Sequence, residues 1–188
     1  MNPEPHNNLF APISFEEIAL PSGQVVRIPE CHLVFKKWDG IPIKETFGNK
    51  ALIDVGGKPM FAELAIMHLF INAGWQARWI ETYATGDKEP KYLDEWKDDK
   101  YKNQILAPIA DGEVMRRLAE IAKLNGTYSG CWDVLGWNGD KMIFAESKRF
   151  KKDRIQGTQV RWLEAAFRAG FLPENFLIVQ WDFEQKAV

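Results

Sequence analysis

Asp133, the run Glu146-Ser147-Lys148 and Gln159 are the residues of this chain whose types and spacing could do chemistry. Two carboxylates, a lysine and an amide suit a site that holds a hard divalent cation beside a phosphate. Side chains alternate across a strand, so Glu146 and Lys148 face the same way. Asn138-Gly139-Asp140 is a strong hairpin signal between two apolar runs, Cys131–Trp137 and Met142–Lys148. A Gly139-Asp140 loop puts Asp133 directly opposite Glu146. An Asn138-Gly139 loop puts it opposite Phe144, diagonal to Glu146. Either way the three side chains share a face, with Cβ separations of about 5 Å or about 7–8 Å. Both separations let two carboxylates grip one ion at about 2.1 Å, the Mg²⁺–oxygen distance. A three-residue loop would break the parity unless a bulge restored it.

The hairpin reads as apolar on both faces, with Leu135, Trp137, Met142 and Phe144 on one and Trp132, Val134, Ile143 and Ala145 on the other. Such strands lie inside a sheet covered by helices. Carboxylates at their tip are penalised unless paired or metal-bound, and hard oxygen donors favour Mg²⁺ or Mn²⁺. Lys148 then balances charge, orients an attacking water or stabilises negative charge developing at phosphorus. The plainer reading is a solvated Asp133 beside an edge salt bridge between Glu146 and Lys148.

Two features weigh against that plainer reading. At 100° per residue, Glu63 falls among Met60, Ile66, Met67 and Phe70 on a helix whose polar side carries His68 and Asn72. An acid on an apolar stripe implies either a buried ion pair or a place beside a metal; His68 reads as surface. The segment 148–154 carries five positive charges, Lys148, Arg149, Lys151, Lys152 and Arg154, against Asp153, and Arg161 and Arg168 follow. A basic run is usually a solvated loop, but this one begins inside the candidate site, where contacts to phosphate are useful.

The positioning elements follow from punctuation and periodicity. Residues 24–28, 32–35 and 51–55 read as short strands separated by turns at Pro21-Ser22-Gly23, Trp38-Asp39-Gly40 and Gly56-Gly57. Pro59 to Ala73 is the clearest helix, with Pro59 at its first position and Gly74 as its stop. A strand is expected over Trp75–Tyr83 and a charged, partly helical excursion over Thr85–Lys102. A helix should span Gly112–Asn125, closed at Asn125-Gly126. Another follows over Thr158–Ala169, stopped by Gly170, and Phe176–Trp181 is a last strand.

Composition bounds the rest. With 188 residues, 46% of them apolar, and with eight Trp and twelve Phe, the chain can bury one substantial aromatic core. The net charge of −2 gives no global attraction to nucleic acid, so a basic footprint must be local. Two cysteines, Cys31 and Cys131, are too few for a disulfide scaffold or a thiolate zinc site and suit a reducing cytoplasm. Met1–Asn8 is polar and does not read as a signal peptide. No stretch approaches 18 uncharged apolar residues, so no membrane span is expected.

Gly130-Cys131-Trp132-Asp133-Val134-Leu135, Glu146-Ser147-Lys148 and Gln159-Val160-Arg161-Trp162-Leu163, ending in Ala169-Gly170, resemble the PD-(D/E)xK nuclease superfamily, and within it the VRR-NUC branch. The likeness covers residues 58–182, with about 84–125 as an insertion. It implies an α/β (α+β) restriction-endonuclease-like core of helix, three strands, helix and strand, the mixed sheet flanked by helices. Residues 1–57 would form a β-rich extension and 58–188 the nuclease domain. By resemblance Asp133 and Glu146 are metal ligands, Lys148 is the catalytic lysine, Gln159 leans toward the site from its helix, and Glu63 is the acid of the first core helix. Trp132 stands where proline often precedes the aspartate, and Gln156 where a capping serine is usual; neither removes a ligand.

Together these imply a Mg²⁺- or Mn²⁺-dependent endonuclease that hydrolyses DNA, branched or linear. One or two ions would lie between Asp133, Glu146 and the Ser147 carbonyl, with Glu63 beside them. Lys148, Arg149, Lys151, Lys152, Arg154 and Arg161 would meet the nucleic acid. Relatives of this kind sometimes pair as homodimers, which the spacing leaves open. The alternatives are a catalytically silent nuclease fold that binds nucleic acid or protein, and a structural subunit that docks a partner through Phe10, Phe15, Phe35 and Trp38, although packing of these rings on the chain's own core is the simpler reading. Trp96 and Tyr101 could stack on bases, but pinning the insertion down is the simpler role.

Overall fold

The computed structural model describes residues 11–46, 49–82 and 89–184. Met1–Asn8, Phe10, Tyr83 and the first residues of the expected insertion lie outside them. The strands are β1 (Ser14–Ala19), β2 (Val25–Phe35), β3 (Leu52–Val55), β4 (Lys58–Phe61), β5 (Gln76–Glu81), β6 (Lys91–Leu93), β7 (Val134–Asn138), β8 (Lys141–Arg149) and β9 (Phe176–Phe183). The helices are α1 (Ala62–Asn72), α2 (Gly112–Asn125) and α3 (Gly157–Arg168). Seven strands form one mixed sheet, ordered β1-β2-β9-β8-β7-β5-β6; β3 and β4 form a separate hairpin. The pairs β2–β9 and β8–β9 are parallel and the others antiparallel. The parallel β8–β9 pair needs a crossover, which α3 supplies.

The sheet is covered on both faces. Leu64, Met67 and Phe70 of α1 pack with Ala77, Trp79, Val134, Ala145, Leu177 and Val179. On the other face Val114, Leu118 and Ile121 of α2 and Trp162, Leu163 and Ala166 of α3 pack with Leu135, Trp137, Met142, Phe144 and Ile178. The double burial read from the hairpin therefore holds, with one exception. Trp132 joins Leu135 and Phe144 on the α2/α3 side, because strand pairing begins only at Val134 and alternation does not extend back through Cys131–Asp133. The hairpin closes through Gly139-Asp140, with Asn138 paired to Lys141. Gly139 has φ 59° at the first loop position, where a type II′ turn takes glycine.

Other expectations shift for identifiable reasons. Pro59 does not open α1. Gly56-Gly57 closes a hairpin that commits 58–61 to pairing with 52–55, so the helix begins at Ala62. Pro59 is tolerated there because its strand belongs to a two-stranded ribbon. The runs 24–28 and 32–35 are one strand that changes partner, from β1 to β9, at Glu30. Glu30 O accepts from Ile13 N at 2.9 Å. By alternation, Pro29 turns its donorless nitrogen away from β1, toward β9, whose pairing with β2 begins only at Glu30. The Thr85–Lys102 segment contributes the edge strand β6 and a 3-10 turn at Tyr101–Asn103 rather than an α-helix among its described residues. His68 is half-buried beside Met60, Phe61 and Trp96 in an apolar cleft. Trp96 packs against Phe61 and Trp79, with ring centroids 5.0 and 5.8 Å apart, and stacks on Tyr101; these rings pin the segment to the core. Phe35 packs on Trp181, whereas Phe15 is 49% exposed under Arg27. Among the described residues no helix is long and apolar enough to cross a membrane.

Gly130 fixes how α3 approaches the hairpin. Its φ is +86°, and a Cβ there would lie 2.2 Å from Thr158 O in the first turn of α3. Gly130→Ala combines backbone strain with a clash against main chain. It should lower stability by about 2–3 kcal/mol, or about 2–4 °C in melting temperature per kcal/mol. An unchanged denaturation midpoint would show that α3 is not held by this contact.

Candidate functional site

Strand β7 begins late, and the site forms where it is missing. Beyond Val134 and Ala145, β8 continues against β9 alone, through Glu146, Ser147, Lys148 and Arg149. Asp133 stands in the gap. Its Oδ2 accepts from Ser147 N at 3.0 Å, and its own amide approaches Glu146 Oε2 at 3.3 Å. Since Ser147 N–H points toward Asp133, the Ser147 carbonyl, which shares that direction along a strand, points into the same gap. On its other side Ser147 Oγ accepts from Trp181 Nε1 at 3.0 Å.

Glu146 and Lys148 face α3. Lys148 Nζ lies 2.9 Å from Glu146 Oε1, and the two residues are only 8% and 1% exposed. Gln159, in the first turn of α3, binds both: its Nε2 donates to Glu146 Oε1 at 2.5 Å and its Oε1 accepts from Lys148 Nζ at 3.2 Å. The same oxygen accepts from Gln156 N at 2.8 Å, satisfying one of the donors a helix start leaves open. A single amide thus caps the helix and fixes the rotamers of two charged groups.

From the opposite wall comes Glu63, 8% exposed, in the first turn of α1. It forms an ion pair with Lys50, Nζ to Oε1 at 2.5 Å. Glu63, Asp133, Glu146, Ser147, Lys148 and Gln159 all line one cleft of about 490 Å³. Arg149 and Lys152 also line it, whereas Lys151, Arg154 and Arg161 do not. Arg154 lines a neighbouring cleft that shares Lys148 and Asp153. Lys151 lies over the Phe150 ring, and Arg161 is exposed on α3. The Arg149 guanidinium sits 4.6 Å from the Phe183 ring centroid and 5.8 Å from that of Trp181. Its Nε has no hydrogen-bond partner among the described residues.

The carboxylates are crowded. Burial raises the Asp133 carboxyl above its ordinary value, with Glu63 adding to the effect and Lys50 and Lys148 opposing it. Burial, then the nearby Asp133 charge, raises Glu146 well above its ordinary value. For Lys50, burial works against the charge, but Glu63, Asp133 and Glu81 outweigh it and hold the ammonium protonated. Both cysteines are buried and free, and burial pushes the Cys31 thiol up to about 12, which suits neither thiol for nucleophilic work.

Among the described residues, no three His, Cys, Asp or Glu side chains form a ready metal cluster. The donors that converge are the Asp133 and Glu146 carboxylates and the Ser147 carbonyl, all hard oxygens, with Glu63 engaged by Lys50. That chemistry fits Mg²⁺ or Mn²⁺ rather than a soft metal. Sequence reasoning missed Lys50, the buried acid Glu81 and Trp181. Only Lys50 left a trace, since an acid on the apolar stripe of α1 called for a cation from elsewhere. Comparison with known proteins adds no guide: the chain matches no family model, no curated protein and no solved structure.

A raised carboxyl pKa means that the folded state holds its proton more tightly than the unfolded chain. The stability that these two groups contribute is therefore greatest at low pH, falls as pH rises from the ordinary values of 3.8 and 4.5 through the raised folded values, and stays low above them. Asp133→Asn keeps an oxygen to accept from Ser147 N and removes one of three crowded charges. Without divalent ions, its melting temperature at pH 8 should exceed that of the unsubstituted protein by about 2–4 °C, or about 1 kcal/mol. The gap should close below about pH 4. A lower midpoint at pH 8 would show that the charge stabilises the fold.

Proposed function

We propose that this protein is a divalent-metal-dependent nuclease of the PD-(D/E)xK kind, VRR-NUC branch, that hydrolyses phosphodiester bonds in DNA. The observation that carries the reading is the convergence of Asp133, Glu146 and Lys148 at the one place where β8 extends past its partner. The order α1, β5, β7, β8, α3, β9 supports the same reading, since it runs helix, three strands, helix, strand once β6 and α2 are set aside as an insertion. Asp133, Glu146 and the Ser147 carbonyl would hold the ion. When bound, it would supply Lewis acidity, lowering the pKa of water and stabilising charge on the phosphate oxygens.

The chain's own groups do the rest. Lys148 places an ammonium beside the reacting phosphate, where it neutralises developing charge and directs a water. Gln159 holds Lys148 and Glu146 in one arrangement, so neither must reorganise during the reaction. Arg149, beside the Phe183 and Trp181 rings, brings a planar guanidinium to the cleft lining, suited to a backbone phosphate. Lys152 extends that positive edge.

A second reading is a silent fold that binds nucleic acid, favoured by one observation: Lys50 already neutralises Glu63. One experiment separates the two. Linear and branched DNA substrates are incubated with Mg²⁺ or Mn²⁺, with Asp133→Ala alongside. Metal-dependent cutting is expected, reduced on the order of 10³-fold in Asp133→Ala and about 10–100-fold in Gln159→Ala, with circular dichroism unchanged. Equal cutting by Asp133→Ala would sink the assignment. Salt-sensitive DNA binding without turnover would establish the silent reading.

A further inference from the structure

We propose that Lys50 is a built-in substitute for a second metal ion, so that the site takes one divalent cation and not two. The inference rests on the metal-dependent reading above and concerns the wall of the cleft opposite Glu146.

Glu63, from α1, and Asp133, from the gap beside β8, line the same cleft. A second ion bridging toward Asp133 would use Glu63. Lys50 Nζ lies there instead, 2.5 Å from Glu63 Oε1 and close enough to interact electrostatically with Asp133. The ammonium is delivered with some rigidity. Asn49, the residue before it, takes a left-handed conformation with φ 62°, which asparagine tolerates better than most residues. The lysine Nζ also lies 5.3 Å from the Trp79 ring centroid, a cation–π distance.

Charge balance points the same way. Four acids, Glu63, Asp133, Glu146 and Asp153, and four bases, Lys50, Lys148, Arg149 and Lys152, line the cleft, so its formal charge is zero. One divalent ion adds two positive charges, which a bound phosphodiester and its neighbours along the backbone offset. A second would bring four positive charges into a partly buried space, where like charges repel strongly. Without Lys50, Glu63 and Asp133 would form an uncompensated acidic pair with room for another ion.

The test is ion stoichiometry in the full chain. Metal-free protein is titrated with Mn²⁺, free Mn²⁺ is read by electron paramagnetic resonance, and melting is followed in parallel. The wild type is expected to bind one Mn²⁺ per chain, Lys50→Met two, and Lys50→Arg one. Metal-free Lys50→Met should melt below the wild type and gain more from saturating Mn²⁺. Lys50→Gln, which can still hydrogen-bond Glu63, serves as the neutral variant if methionine prevents folding. Two ions in the wild type, or one in both neutral variants, would overturn the role of Lys50 and leave the nuclease reading standing. No Mn²⁺ bound by the wild type would remove that reading, and this inference with it.

Discussion

The rest of the structure is organised around a buried ion pair, Glu146 with Lys148, placed where a neighbouring strand stops. Such a pair is a weak source of stability, because desolvating two charges offsets most of their attraction, and apolar residues of similar size often do as well or better. Here the energetic difficulty is compounded. Asp133 and Glu63 add two further acids to the same cleft, and burial raises both Asp133 and Glu146. The fold accommodates them with particular partners: Ser147 N for Asp133, Gln159 and Lys148 for Glu146, and Lys50 for Glu63.

The scaffold explains why these partners stay in place. β8 runs through the middle of the seven-stranded sheet, with α1 on one face and α2 and α3 on the other. Its position is therefore set by aromatic packing on both sides, including Phe144 stacked on Phe176. Gly136 lets α1 sit close to β7, since a Cβ there would lie 2.6 Å from the Phe70 ring. Gly130 does the same for α3. These approaches bring the first turns of two helices, carrying Glu63 and Gln159, to opposite walls of one cleft. Each helix start also carries partial positive charge, which favours a carboxylate nearby.

Much of this was legible in the sequence, because it is written in local rules. Asn138-Gly139-Asp140 gave the hairpin, and strand parity put Glu146 and Lys148 on one face; Asp133 meets them from the unpaired residues just before β7. Asn125-Gly126 closes α2 as read, with Gly126 in the left-handed conformation at φ 82°. What escaped depends on pairings distant in sequence. Pro59 has the marks of a helix start, but a two-glycine turn upstream claims it for a hairpin. Pro29 interrupts an apolar pattern, yet β2 passes through it because the strand changes partner there. Trp132 lies two residues before β7, where alternation does not apply. Lys50 comes from a loop with no periodicity at all, and only the fold shows that it reaches Glu63. Of the basic run, Lys148, Arg149 and Lys152 reach the cleft, and spacing alone could not separate them from Lys151 and Arg154.

The most direct test of the central claim, that Asp133 and Glu146 jointly grip a hard cation, is anomalous diffraction from crystals of the metal-free protein soaked in Mn²⁺. A single peak should appear about 2.1 Å from an oxygen of each carboxylate, on the side of the gap faced by the Ser147 carbonyl. Density elsewhere in the cleft, or no peak between these two side chains at saturating Mn²⁺, would contradict it.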